Sequence, residues 1–258
     1  MVLRAAAAQG AHVTLATGRP MRRMGAVIRG LSVLLVACAN GALVYEPATG
    51  RIVACQEMSR HAIDAIAAAL RRAWPACEIA VERLQRAASG EFEQVLYAQH
   101  DATSGWPAGD RARPVPAGML SARAALKIMV RNRGTQSADM ASRAGRLLQG
   151  TADVTYANPR NGLIEISHLG ASKGWAAKTM AETLDVDVGA AVAFGDMPND
   201  LPMLRCCGHS VAVANAHESV RMAADEITSS CDSDGVAQVL ERWFASAADD
   251  SYSEGRLS

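Results

Sequence analysis

Aromatic residues are scarce in this sequence: Trp, Tyr and Phe number 4, 4 and 3 and make up 4% of 258 residues. That scarcity argues against a platform for single-stranded nucleic acid, which needs several exposed rings along a basic groove. An excess of charge of either sign is also missing. Lys plus Arg and Asp plus Glu both total 26, so no net field favours a polyanion partner. The six cysteines, Cys38, Cys55, Cys77, Cys206, Cys207 and Cys231, form no CxxC pair and have no histidine at finger spacing. Neither a zinc site nor a disulfide framework is favoured, and reduced, mostly buried thiols are expected. The most apolar stretch, 31–39, is far short of a membrane span and runs at once into Asn40-Gly41. After Arg4 the alanine run is broken by Gln9, Gly10 and His12, which disfavours a signal peptide. A cytoplasmic protein without a membrane partner is expected. No GxGxxG or GxxxxGK[ST] occurs, which disfavours a nucleotide-binding module of those types.

What is present is ordinary globular material, 50% hydrophobic and 20% charged, enough for one large domain or two modest ones. Short aliphatic runs alternate with alanine-rich stretches, the pattern of an α/β fold with a largely parallel sheet. "HVTLATGRP" predicts a strand over 12–16 that hands over at Pro20 to a helix, and "VLLVACANGALVY" predicts a second strand. Towards the C-terminus, "AAVAFGD" predicts a strand feeding a helix over 198–207. A strand "SVAVANA", a helix over 217–224, a strand "DEITSS" and a helix over 235–245 follow.

The middle groups its strands differently. A helix over 59–74 precedes strands "CEIAVERL" and "EFEQVLYAQ", then a Gly/Pro/Ala-rich loop over 100–118 and a strand "ARAALKIMVRN". A helix over 137–148 and strands "DVTYAN" and "GLIEIS" complete it. This predicts an α/β insert over 57–167, lodged between core segments 1–56 and 168–246, with a flexible polar tail over 247–258.

Three features carry chemistry. In "FGDMPND", Asp196 ends an apolar strand and Asp200 opens the next helix, both on the rim where parallel sheets bind ligands. Magnesium takes oxygen ligands, often one or two carboxylates, so Asp196 suits direct ligation and Asp200 an indirect role. Asp200 reads equally well as a helix-start carboxylate. In "ATGRP", the Thr17 hydroxyl and Gly18 amide stand where a strand meets a helix, a geometry that receives phosphate oxygens; a helix-capping turn reads the same way. Lys173, in "GASKGWAAKTMAE", is one of only three lysines among the 26 basic residues, and its compact ammonium suits a phosphate oxygen and a carboxylate.

In this order, "TGRP", "NGA", "SKG", "GDMPND", "ANA" and "SDGVAQVL" resemble the haloacid dehalogenase superfamily, in its Cof-type (subclass IIB) branch of sugar-phosphate and related phosphatases. The resemblance spans residues 11 to about 240. It implies a Rossmann-like core with an inserted, mobile α/β cap. It also implies magnesium-dependent transfer of a phosphoryl group from a small phosphorylated metabolite to an aspartate, followed by hydrolysis. By the same resemblance Thr17, Gly18 and Arg19 bind the phosphoryl group and Lys173 stabilises its charge. Asp196 holds Mg2+, Asn199 contacts phosphate and Asp200 steadies the metal shell. Asn40 and Asn215 match asparagines near the active site, although turn-forming asparagines would look alike.

The family's first motif, a strand ending in Asp-x-Asp ahead of the helix leading into "ATGRP", has no counterpart here; no Asp or Glu precedes Glu46. The core is thus expected to be incomplete at its N-terminal side. Two expectations follow. Either the native protein begins upstream of Met1 and carries the nucleophile there, or the chain is a catalytically inactive relative that binds phosphorylated ligands or a protein partner. Cys38 as a substitute nucleophile is weaker, since "LLVACANG" reads as a buried strand where a thiol is inert. Arg111, Arg113, Arg131 and Arg160 could favour an anionic leaving group, although solvated surface is the commoner role. The sequence gives no oligomeric state.

Overall fold

The structure, a computed structural model, describes residues 2–99, 106 and 112–244. The 247–258 tail, Arg111 and most of the 100–118 loop lie outside the described residues. The chain opens with α1 (Val2–Ala8), β1 (Val13–Ala16), α2 (Met24–Ile28), β2 (Val33–Cys38), β3 (Leu43–Glu46) and β4 (Arg51–Cys55). These strands form one sheet in that order, β1 and β2 parallel and the rest antiparallel. The single strand expected through "VLLVACANGALVY" is two strands. The chain reverses at Ala39, Asn40 and Gly41, with φ of 52°, 60° and 97°, a left-handed turn that asparagine and glycine tolerate.

The middle of the chain builds α3 (Arg60–Ala73), β5 (Glu78–Arg86), β6 (Phe92–Gln99), β7 (Arg113–Val115), β8 (Lys127–Arg131), α4 (Ser137–Leu147), β9 (Ala152–Thr155) and β10 (Leu163–His168). Its strands make a second sheet in the order β7-β6-β5-β8-β10-β9. Helix α3 starts where the Ser59 hydroxyl accepts the Ala62 amide, and its Ile63, Ile66, Ala67 and Leu70 recur at helical spacing. That stripe packs with Met140 and Ala144 of α4 on Ile79, Val81, Ile128, Val130, Ile164 and Ile166. Strand alternation then turns Glu82, Lys127 and Glu165 to the opposite face of the sheet.

The last third contains α5 (Lys173–Thr183), β11 (Val192–Gly195), α6 (Leu201–Leu204), β12 (His209–Val213), α7 (Glu218–Arg221), β13 (Glu226–Thr228) and α8 (Gly235–Phe244). Its three strands are parallel in the order β11-β12-β13. The helix expected over 198–207 is shorter: a 3-10 turn at Pro198–Asp200 leads into α6. The core is thus a Rossmann-like α/β arrangement in which β1 and β11 each end a separate sheet. Helix α5 lies across β1, β2 and β3 and also against α6, so it bridges the two. Its contact with α6 is close; a Cβ on Gly174 would sit 2.4 Å from the Pro202 carbonyl oxygen. No helix among the described residues is long and apolar enough to cross a membrane.

Candidate active site

Four segments far apart in sequence meet where β1 and β11 end. Thr17 follows β1; its amide donates to the Ala37 carbonyl at 2.9 Å, and its own carbonyl accepts the Asn40 amide at 3.0 Å. The Thr17 hydroxyl accepts the Arg19 amide at 3.1 Å, so the capping-turn geometry is present and the hydroxyl proton remains to be donated. Gly18 leaves room for the Asn40 side chain, because a Cβ would fall 2.6 Å from Asn40 Oδ1 and force it to shift. The side chain of Arg19 is exposed.

The next turn abuts the start of α5. A Cβ on Gly41 would lie 2.2 Å from the Ser172 carbonyl oxygen and 2.9 Å from the Lys173 nitrogen. Ser172 caps α5 by accepting the Trp175 amide at 3.2 Å, which places Lys173 at the helix start with its side chain turned inward. Lys173 is 7% exposed and its Nζ lies 2.5 Å from Asp200 Oδ1.

Asp200 is 3% exposed, and both its oxygens are engaged. While Oδ1 takes Lys173, Oδ2 accepts the amides of Asp196 at 3.0 Å and Met197 at 2.9 Å. This carboxylate therefore folds the "GDMPND" loop back on itself and fixes how Asp196 leaves β11. The Asp196 carbonyl in turn accepts the His217 amide at 2.8 Å. The Asp196 side chain reaches solvent, yet its surroundings strip enough water to raise its carboxyl above the ordinary range; the Asp200 charge adds to this and Lys173 opposes it.

Asn40 and Asn199 join the two halves of the core. Asn40 Nδ2 donates to Glu165 Oε2 at 2.6 Å, and Asn199 Nδ2 donates to Asn40 Oδ1 at 3.1 Å. The Asn199 Oδ1 is buried and has no hydrogen-bond partner among the described residues. Asn215 stands outside this network: it is exposed, and its Oδ1 accepts the Cys231 amide at 3.1 Å. Among the described residues no group of three or more His, Cys, Asp and Glu side chains is arranged to hold a metal. The donor set still suits magnesium, which needs few protein ligands: Asp196 offers a solvent-exposed carboxylate and Asn199 an unpartnered oxygen. Cys38 is fully buried, and burial, with the Glu82 charge, pushes its thiol up to about 12, which removes it as a nucleophile at neutral pH.

Residues the motifs did not single out complete the rim. Lys127, 2% exposed, donates to Glu165 Oε1 at 2.9 Å and to the Gly18 carbonyl at 3.2 Å, and lies 3.4 Å from Glu82 Oε2. Burial lowers the lysine's pKa, but the charges of Glu165 and Glu82 outweigh that and raise it overall. Arg22 Nη2 donates to Glu82 Oε1 at 3.0 Å, and Gln94 Oε1 accepts the Met21 amide at 2.9 Å. A charge inside each of the largely apolar strands "CEIAVERL", "ALKIMV" and "GLIEIS" was the available signal.

A family model described as haloacid dehalogenase-like hydrolase matches residues 1–240. The chain is 36% identical over 89 residues to the phosphatase YwpJ of Bacillus subtilis, covering 34% of this chain and 31% of that one. It is 41% identical over 70 residues to a phosphoglycolate phosphatase of Archaeoglobus fulgidus, covering 27% and 31%. The chain thus spans about a third of the length of the curated relatives it matches. Among solved structures, the subclass IIB sugar phosphatase BT4131 superposes with a TM-score of 0.73 at 17% identity, over 94% of this chain and 89% of that one. TM0651 of Thermotoga maritima superposes with 0.72 at 21% identity, over 93% and 89%. At such identities these two speak for the fold.

Proposed function

Since the chain belongs to the haloacid dehalogenase-like hydrolases, we propose that it is the substrate-binding and metal-binding body of a magnesium-dependent phosphatase acting on a small phosphorylated metabolite, a sugar phosphate or similar ester. The observation that carries this reading is the convergence of Thr17, Asn40, Lys173 and the Asp196–Asp200 loop on one rim, tied by the Lys173–Asp200 and Asn40–Asn199 bonds. The names of the relatives, phosphatases acting on phosphoglycolate among them, agree with it.

In this reading the Thr17 hydroxyl and Gly18 amide bind phosphoryl oxygens, and the Lys173 ammonium neutralises charge that grows on them. Asp200 keeps Lys173 aimed and holds the loop that presents Asp196. Asp196, with Asn199 three residues on in the same loop, would hold the Mg2+, which when bound neutralises phosphoryl charge. Phosphoryl transfer asks mainly for alignment and charge neutralisation, and these residues supply both. In the family's chemistry the in-line nucleophile is an aspartate, which takes the phosphoryl group while the ester oxygen departs in the alcohol. Water then hydrolyses the aspartyl-phosphate. The six cysteines are all free, in keeping with a reducing, cytoplasmic setting.

The test is an assay of the protein purified from its own cells against aryl phosphate, phosphoglycolate and a series of sugar phosphates. Phosphate release that stops with a chelator and returns with Mg2+ is expected. Failure to hydrolyse any ester across that series contradicts the reading.

A further inference from the structure

The polarity of the two amides at the rim is dictated from the cap. An ionised carboxylate only accepts hydrogen bonds, so Glu165 Oε2, 2.6 Å from Asn40, must be met by the Asn40 NH2. The Asn40 carbonyl oxygen then points to Asn199, where it can only accept, so Asn199 must turn its own NH2 toward Asn40 at 3.1 Å. The remaining end of Asn199 is its carbonyl oxygen, the buried atom that has no partner among the described residues. A carboxylate in the inserted domain thereby decides that the residue just before Asp200 offers an acceptor and not a donor.

Glu165 sits in a buried place among compensating partners. Lys127 meets its other oxygen at 2.9 Å, and Glu82 meets Lys127 at 3.4 Å and Arg22 at 3.0 Å. Among the described residues cations and carboxylates alternate through this cluster, the condition under which buried charge is tolerated. The backbone adds constraint, because Asn40 is held at φ 60°, ψ 25° in a turn whose amide is bonded to Thr17, which fixes the point from which its side chain extends.

We propose that Glu165 is a positioning residue for magnesium binding, acting through Asn40 and Asn199 to present the Asn199 oxygen as an acceptor in the loop that carries Asp196, with Lys127 holding the Glu165 charge in place. This rests on the phosphatase reading above, in assigning magnesium to Asp196. It extends that reading by giving Asn199 the role of an acceptor toward the cation and by making the seating of the cap a condition of the site's polarity.

The test uses the full chain and calorimetry with two probes, MgCl2 and, separately in metal-free buffer, inorganic phosphate. Glu165→Gln keeps the side chain's shape but can donate as well as accept, so both amides are free to invert. It is expected to weaken Mg2+ binding by about tenfold, the lower end of the range for removing an outer partner of a metal ligand. Phosphate affinity is expected to stay within about twofold, since Thr17 and Lys173 are untouched. The double variant Glu165→Gln, Lys127→Met removes the ammonium with its carboxylate and serves for the Mg2+ measurement if the single variant fails to fold; since Lys127 also holds the Gly18 carbonyl, a larger loss for Mg2+ than for phosphate is the result expected of it. Unchanged Mg2+ affinity, or equal losses for both probes as from general loosening, overturns the proposal. Mg2+ binding that Asp196→Asn leaves intact sinks the metal reading itself, so the two failures are distinguishable.

Discussion

Replacing Asp200 by alanine should damage this protein more than its place on a surface rim suggests. The side chains of Asp200 and Lys173 are 4% and 9% exposed, so the change strands an ammonium in the interior. Breaking a buried pair from one side costs about 3–5 kcal/mol. The amides of Asp196 and Met197 lose their acceptor as well, at about 1 kcal/mol each where water does not replace it. Against a total stability of about 5–15 kcal/mol this is a large share, and about 4 kcal/mol corresponds to a fall in Tm of roughly 8–16 °C for a chain of this size. Lys173→Met should cost less, because its loss leaves Asp200 with two backbone donors. The double variant should recover at least about 2 kcal/mol relative to the sum, as directly paired groups do. Urea unfolding followed by tryptophan fluorescence suits the measurement, since Trp175 lies two residues from Lys173 on α5. A cost for Asp200→Ala below about 1 kcal/mol, or strict additivity in the double variant, would refute the reasoning.

Two further perturbations probe the frame of the site. Gly41→Ala places a methyl 2.2 Å from the Ser172 carbonyl at a φ of +97°, so a loss of about 2 kcal/mol or more is expected in the same unfolding assay; a neutral effect would mean the turn against α5 is not tightly packed. For Cys38, a thiol pushed up to about 12 against an ordinary 9.0 binds its proton more tightly than in the unfolded chain. Its thiolate fraction at pH 8 is therefore roughly a thousandfold lower, and Ellman's reagent should modify exposed Cys55 and Cys231 while Cys38 reacts only after unfolding. Rapid labelling of Cys38 in the folded protein would contradict the buried-strand assignment.

Much of the fold could be read from the sequence wherever pattern and local chemistry agree. The α3 stripe at 63, 66, 67 and 70, the apolar strand before Asp196 and the Ser172 cap ahead of Lys173 are all local signals. The reversal at Ala39–Gly41 was hidden because aliphatic residues continue on both sides of it, and only the Asn-Gly pair marked the turn. Strand β4 is short, half-buried and at a sheet edge, so it carries little alternation. At the site, Thr17, Lys173, Asp196 and Asp200 stood out because each sits at a strand-helix junction. The partners Glu165, Lys127 and Glu82 did not, because their meaning depends on which face of the second sheet meets the core. That is a tertiary fact, and the only local trace of it was a charged residue where an apolar one was due.

Magnesium titration of the full chain by calorimetry, comparing wild type with Asp196→Asn, tests the central assignment most directly. Asp196 presents an exposed carboxylate at the rim, whereas Asp200 is buried against Lys173 and two loop amides, so the account predicts a single Mg2+ site weakened at least about tenfold by the substitution, with the fold unchanged by circular dichroism. Equal affinity in the two proteins would contradict it.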